Sequence, residues 1–121
     1  MSTFNVTFNV RGALATATLA ATVDTGATLT TIRGDLLDRI GVPRRDRRTF
    51  ALADGSRQER WTGEAELLLE GRVFTSPLCF GDDGDADLLG AVTLEIAFLG
   101  VDPVGCRLIP VDGLLYGHRA R

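Results

Sequence analysis

The sequence predicts a mainly β domain carrying one or two short helices, and three stretches support that expectation. Thr3 to Val10 alternates strictly, with Phe4, Val6, Phe8 and Val10 on one face and Thr3, Asn5, Thr7 and Asn9 on the other, the period of a half-buried strand. Asp54-Gly55 sits between the extended segments running from Thr49 and on to Trp61, a strong short-range hairpin signal. Glu64 to Leu69 alternates again before Gly71 turns the chain. With 121 residues and 45% hydrophobic content, the chain is expected to be a single domain, 1–121, with its core at about 4–111 and a tail at 112–121.

Taken in order, the strand at 3–10 gives way to a turn at Arg11-Gly12, and Ala13 to Val23 reads as a second strand of small residues rich in Thr. Leu19, Ala21 and Val23 share a face, so Asp24 emerges where that strand ends. The chain then turns at once through Thr25 and Gly26, which holds the carboxylate on a short, rigid loop suited to catalysis. Leu36, Leu37 and Ile40 lie at helix spacing, with Asp35 near the start and Gly41 and Pro43 to stop it, a helix of about two turns. Arg44 to Arg48 reads as a charged, solvated connector to the hairpin.

Val73 to Phe80 reads as a further strand, in which Pro77 suggests an edge or a bulge. Gly81 to Asp87 is an acidic loop. It lacks the glutamate that a calcium-binding helix-loop-helix needs at its twelfth position, where Thr93 or Leu94 stands, and a solvated turn is expected. Leu88-Leu89-Gly90 is a short apolar strand closed by glycine. Ala91 to Leu99 fits a strand through Val92, Leu94, Ile96 and Phe98. It equally fits a helix with Leu94, Ala97 and Phe98 on one face and Gly100 as its stop. A turn at Pro103–Gly105 leads to a closing strand, Cys106 to Val111, and the tail with the single His118 has no periodicity.

Composition narrows the function. A formal charge of -3 and a pI near 5.0 give no electrostatic footprint for nucleic acid, and all 13 basic residues are arginines scattered outside Arg44–Arg48. No apolar run approaches the ~20 residues of a membrane span, and the N-terminus lacks the regions of a signal peptide. Cys79 and Cys106 match no metal spacing. The expectation is a cytoplasmic protein with reduced, mostly buried thiols and neither metal nor cofactor. Because Met1 lies close to the first strand, release from a larger precursor is not expected to be required.

Val23-Asp24-Thr25-Gly26-Ala27 resembles the active-site motif of aspartic proteases, in which Asp-Thr/Ser-Gly follows apolar residues. The order strand, Asp-Thr-Gly, short helix, Gly-tipped hairpin, strands, Leu88-Leu89-Gly90, helix and closing strand is similar to the plan of the retroviral-type, single-lobe (retropepsin-like) enzymes from about Phe4 to Val111. It looks most like the small stand-alone prokaryotic members, where Leu-Leu-Gly leads into a helix and then a Val-Asp-Pro segment, here Val101-Asp102-Pro103. The resemblance implies a closed β-barrel, one lobe per chain, in a twofold dimer. It implies that Asp24 is catalytic, that Thr25 anchors the two loops to each other, that Gly26 admits the substrate backbone, and that Ala27 lies beside the substrate. Ala53, Asp54, Gly55 and Ser56 would form a flap that closes over the peptide. Ala86 and Leu88 would line side-chain pockets, and Leu88, Leu89 and Gly90 would be the second signature packed beneath the active-site loop. The terminal strands, near Phe4–Val6 and Leu108–Val111, would pair across the dimer. The retroviral enzymes carry an acid two residues after the motif glycine and an arginine after the second glycine; here Thr28 and Ala91 stand there, so both partners of that ion pair are absent together.

Peptide hydrolysis by carboxylates needs two of them sharing one proton: the ionised one takes a proton from water, and the neutral one hydrogen-bonds the scissile carbonyl. The chain holds one Asp-Thr-Gly, so the resemblance requires a symmetric homodimer with an Asp24 from each chain, acting on a peptide or protein substrate. The rival readings are a catalytically silent dimer that binds peptides or serves as an interaction module, a small β-barrel in which Asp-Thr-Gly is only a turn, and a calcium-stabilised module. If the Asp82–Asp87 loop rims the cleft, up to eight acids in the dimer would favour Lys or Arg flanking the scissile bond, offset in part by Arg44–Arg48.

Overall fold

The computed structural model describes residues 3–115, so Met1, Ser2 and the end of the tail, His118 included, lie outside the described residues. Among the described residues, nine strands and two short helices follow one another: β1 (Asn5–Arg11), β2 (Thr16–Val23), β3 (Thr30–Arg33), α1 (Gly34–Ile40), β4 (Asp46–Ala51), β5 (Arg57–Leu69), β6 (Arg72–Gly81), β7 (Leu88–Leu89), α2 (Ala91–Ile96), β8 (Leu99–Asp102) and β9 (Arg107–Pro110). The mainly β class follows from the alternation. Phe8, Val10, Leu19, Ala21, Val23, Ala65, Leu67 and Leu69 all turn inward, while their sequence neighbours face out or lie half-buried.

Seven strands form one sheet in the order β1-β2-β7-β3-β6-β5-β4, and β1 also pairs with β5 through Val10 and Leu67, so β1 is hydrogen-bonded along both sides. The short β7 lies between β2, parallel to it through Val23 and Leu89, and β3, antiparallel through Thr31 and Leu88. β8 and β9 make a separate two-stranded sheet. α1 closes the core with Leu36, Leu37 and Ile40, and Gly41 ends it at a φ of 88°, a left-handed turn that a side chain would strain. No helix among the described residues is long and apolar enough to cross a membrane.

Several local expectations change. β3 has no counterpart among the expected elements, although Thr30-Thr31-Ile32 is β-branched throughout and pairs with β6 over four residues. β2 begins only at Thr16, because Gly12 donates its amide to the Ala15 carbonyl in a turn. The charged connector is half strand: β4 starts at Asp46, and Arg47 lies across from Trp61 with its guanidinium over the indole. The hairpin's return arm and the alternating segment are one strand of 13 residues, since Gly63 does not break it. A Cβ on Gly63 would come within 2.5 Å of the Pro43 carbonyl, so glycine is there to admit another backbone. Pro77 lies inside the sheet opposite Glu64, one residue before pairing with β3 begins at Leu78.

Ala91 to Leu99 is a helix followed by a strand, and Gly100 does not stop the helix. Phe98 takes the left-handed conformation instead (φ 56°) and its ring is exposed, leaving Leu94 and Ala97 to pack inward, while Gly100 belongs to β8. Of the two free thiols, Cys79 is buried as expected and Cys106 is exposed, at the turn that enters β9.

Candidate active site

β2 ends at Val23, held by the Phe4 carbonyl, and the next residue is Asp24. Its loop is fastened at four points. The Asp24 amide donates to the Leu89 carbonyl (2.9 Å), and the Ala27 amide donates to the Asp24 carbonyl (3.1 Å). The Ala27 and Thr28 carbonyls in turn accept from the Ala91 and Val92 amides at the start of α2. The last two bonds tie the Ala27–Thr28 segment to the start of α2 by backbone alone. Asp24 as a residue is half-buried, and its Oδ1 accepts the Gly26 amide at 2.9 Å. A Cβ on Gly26 would lie 3.2 Å from that oxygen, so glycine leaves the carboxylate room. Thr25 is exposed at the tip.

Gly90 is needed for a different reason. Its φ of -95° is open to any residue, but a Cβ would fall 2.5 Å from the Leu29 carbonyl carbon and 2.9 Å from the Ala27 oxygen. The Leu88-Leu89-Gly90 segment therefore packs backbone against backbone beneath the Asp24 loop. Below it the Gly90 amide donates to Thr30 Oγ1 (3.0 Å), which lies 2.5 Å from Thr93 Oγ1; Thr93 Oγ1 is 2.8 Å from Ser76 Oγ. Thr30, Ser76 and Thr93 are fully buried, a polar cluster inside an apolar core.

A cleft of about 830 Å³ opens beside the loop, a size that accommodates several peptide side chains. Gly26, Ala27, Ala86 and Leu88 line it, so four of the sequence-predicted site residues meet there. Asp24 sits at the base of its loop and does not itself line the cleft, and Leu89 and Gly90 lie buried beneath. From the β4–β5 hairpin the wall is made by Phe50, Leu52, Gln58 and Arg60, whereas Ala53, Asp54, Gly55 and Ser56 form an exposed tip beyond it. Thr28, Leu29, Thr31 and Cys79 complete the floor; burial pushes the Cys79 thiol up and keeps it protonated. A second groove of about 520 Å³ continues past Thr28 and Phe50 to Arg45 and Arg48.

The acidic loop does border the cleft, through Asp82, Asp83 and Asp85, but not with all its charge. Asp87 turns away and accepts the Arg33 amide (3.0 Å). The cation that offsets the rest is Arg60, which sequence reasoning missed. Its largely buried guanidinium contacts Asp82 Oδ2 at 3.2 Å and Asp85 Oδ2 at 3.3 Å, tying the hairpin arm to the loop. The available signal was alternation, since Gln58 and Arg60 point the same way from β5. Arg44 is engaged elsewhere, with Asp38 at 2.9 Å and over the Phe80 ring.

The hairpin tip is an acid-sensitive turn. The Ser56 hydroxyl and then the Ser56 amide donate to Asp54 Oδ1, at 2.6 and 2.9 Å, and hold the Asp54 carboxyl below its ordinary 3.8. A folded value below the unfolded one means that the tip's stabilisation is complete above about 3.8 and is lost as pH falls through the lowered value. An NMR titration is expected to show the Ser56 amide resonance moving in step with the Asp54 carboxyl, below that ordinary value. The same amide in Asp54→Asn is expected to be flat across that range.

No protein-family model matches the chain, and no curated protein matches it.

Proposed function

We propose that this chain is one protomer of a homodimeric aspartic endopeptidase of retropepsin type, in which Asp24 and its symmetry mate share a proton and activate water against a peptide carbonyl. The observation that carries the reading is the clamp beneath Asp24. A strand-end carboxylate is held by its backbone on the Leu89 carbonyl, with glycine required at the next residue by close packing, and the loop opens onto a cleft walled by a hairpin. An isolated turn has no need of such bracing. The closed-barrel part of the reading draws on the pairing of β1 with both β2 and β5.

One carboxylate per chain makes the twofold assembly part of the mechanism. Each protomer brings one acid, one hairpin arm and one acidic loop, so a peptide lying across the axis meets both copies. The exposure of Thr25 at the loop tip supports its role in this reading, reaching the opposite loop of the dimer. The peptide lies between Ala27 and the hairpin, with side chains against Leu29, Phe50, Ala86 and Leu88.

Sedimentation of the purified protein combined with cleavage of a random peptide library tests the reading. The expected results are a dimer and endoproteolytic products. A monomer at all concentrations with no cleavage overturns it. The same library reports preference. Asp82, Asp83 and Asp85 against Arg60 leave the cleft wall acidic, so enrichment of Lys or Arg near the cut is expected, and its absence or an acidic enrichment would dispose of the charge argument.

A further inference from the structure

We propose that the buried hydroxyl chain Ser76–Thr93–Thr30 is a positioning device for Asp24, acting through the peptide unit between Leu89 and Gly90. Its kinetic consequence rests on the protease reading; its structural consequence does not.

The bond directions follow by exclusion. The Gly90 amide can only donate, so Thr30 Oγ1 accepts there. At the other end Ser76 Oγ lies 3.1 Å from the Pro77 carbonyl, which can only accept, so Ser76 donates its one proton to it. Ser76 must then accept from Thr93, and Thr93 must accept from Thr30. Each hydroxyl donates once and accepts once, and all the bonds run the same way. A chain of this kind has one low-energy arrangement and is disrupted by the loss of any hydroxyl in it.

The end of the chain explains what it holds. The Gly90 N–H and the Leu89 C=O belong to one planar peptide unit and point in opposite directions from it. The hydroxyl chain holds the N–H end, and the C=O end accepts the Asp24 amide at 2.9 Å. Fixing one edge of a rigid plane fixes the other, so the orientation of Thr30 sets where the Asp24 backbone sits. The three hydroxyls come from β6, α2 and β3, so the position of Asp24 is tied to three packed elements rather than to its own loop. Catalysis by paired acids is sensitive to such placement: a misplacement of about 1 Å can cost about 100-fold in rate.

Thr93→Val tests this, because it keeps the shape of the side chain and removes the central hydroxyl. Amide hydrogen exchange is measured at Gly90 and Asp24 and, as an internal control, at Leu67 in the β5 core, together with kcat and KM on a cleaved peptide. The expected result is an acceleration of exchange at Gly90 and Asp24 about tenfold greater than at Leu67, with kcat reduced about 10- to 100-fold at unchanged KM, and Thr93→Ser restoring both. Exchange at Gly90 and Asp24 that changes only in step with Leu67 would show a merely structural hydroxyl and overturn the proposal, as would wild-type kcat in Thr93→Val. Should Thr93→Val not fold, Ser76→Ala, which removes the far end of the chain, is read by the same measures. If the wild-type protein cleaves nothing, the protease reading fails, and the exchange data alone still decide the positioning claim.

Discussion

On the proposed protease reading, Asp24→Asn is expected to abolish peptide cleavage while leaving both the fold and the proposed twofold assembly in place. The fold survives because the side-chain oxygen of Asn accepts the Gly26 amide as Asp24 Oδ1 does, and because the main anchor of the loop, the Asp24 amide on the Leu89 carbonyl, involves no side chain. The chemistry does not survive. An amide cannot take a proton from water or share one with a neighbouring carboxyl, and a twofold dimer loses both of its acids in one substitution. Loss of general acid–base catalysis alone removes about 100- to 10,000-fold, and here the acid and the base disappear together. Matched sedimentation profiles with cleavage below detection in the variant are the expected pair of results. Equal rates in the two proteins would assign the activity to a contaminant or another site. An inert wild type that binds peptides as tightly as its variant would favour the silent dimer.

Gly90→Ala is expected to have the largest effect on stability of any single methyl added to this chain's site. The added carbon falls 2.5 and 2.6 Å from the Leu29 carbonyl carbon and oxygen, and backbone cannot swing aside as the end of a side chain can. Overpacking typically costs about 1–3 kcal/mol and occasionally more, and a clash with backbone on a fully buried segment belongs at the upper end. Against a total stability of about 5–15 kcal/mol, the urea midpoint should fall sharply, and any folded fraction should carry a displaced Asp24 loop. Gly55→Ala is the matched control: it meets no atom but sits at a φ of 86°, so it should cost only the left-handed penalty of about 1–2 kcal/mol and spare the loop. Equal midpoints for the two variants would remove the close-packing account of the second glycine.

Much of the frame was legible in the sequence because burial on one face writes itself as alternation. The facing sets Phe8 and Val10, Leu19 to Val23, and Ala65 to Leu69 are the core that their alternation predicts. The end of β2 at Asp24 was legible for the same reason: the run of inward residues stops at Val23 and a turn begins. What was missed were short elements whose neighbours lie far away in sequence. β3 is four residues long and exists because β6 offers it a parallel edge, and β4 reaches back into an arginine-rich run because Trp61 and Thr62 pair with it. Phe98 rather than Gly100 turns the chain after α2, a choice that local propensity argues against and that falls to the fold around it.

The site divides along the same line. By itself the sequence determined that one aspartate stands at a strand end with glycine two residues later, that an apolar pair and a second glycine follow much further on, and that no second Asp-Thr-Gly is present. Only the tertiary structure decided that the Leu89 carbonyl meets the Asp24 amide, that Arg60 rather than the Arg44–Arg48 run balances the acidic loop, and that Ser76, Thr30 and Thr93 form one directed chain beneath the loop. The physical reason is range. Alternation and turn chemistry act between neighbours and leave a mark on composition, whereas these contacts join residues 17 to 65 positions apart and depend on the register of strands that pair only once the sheet has formed.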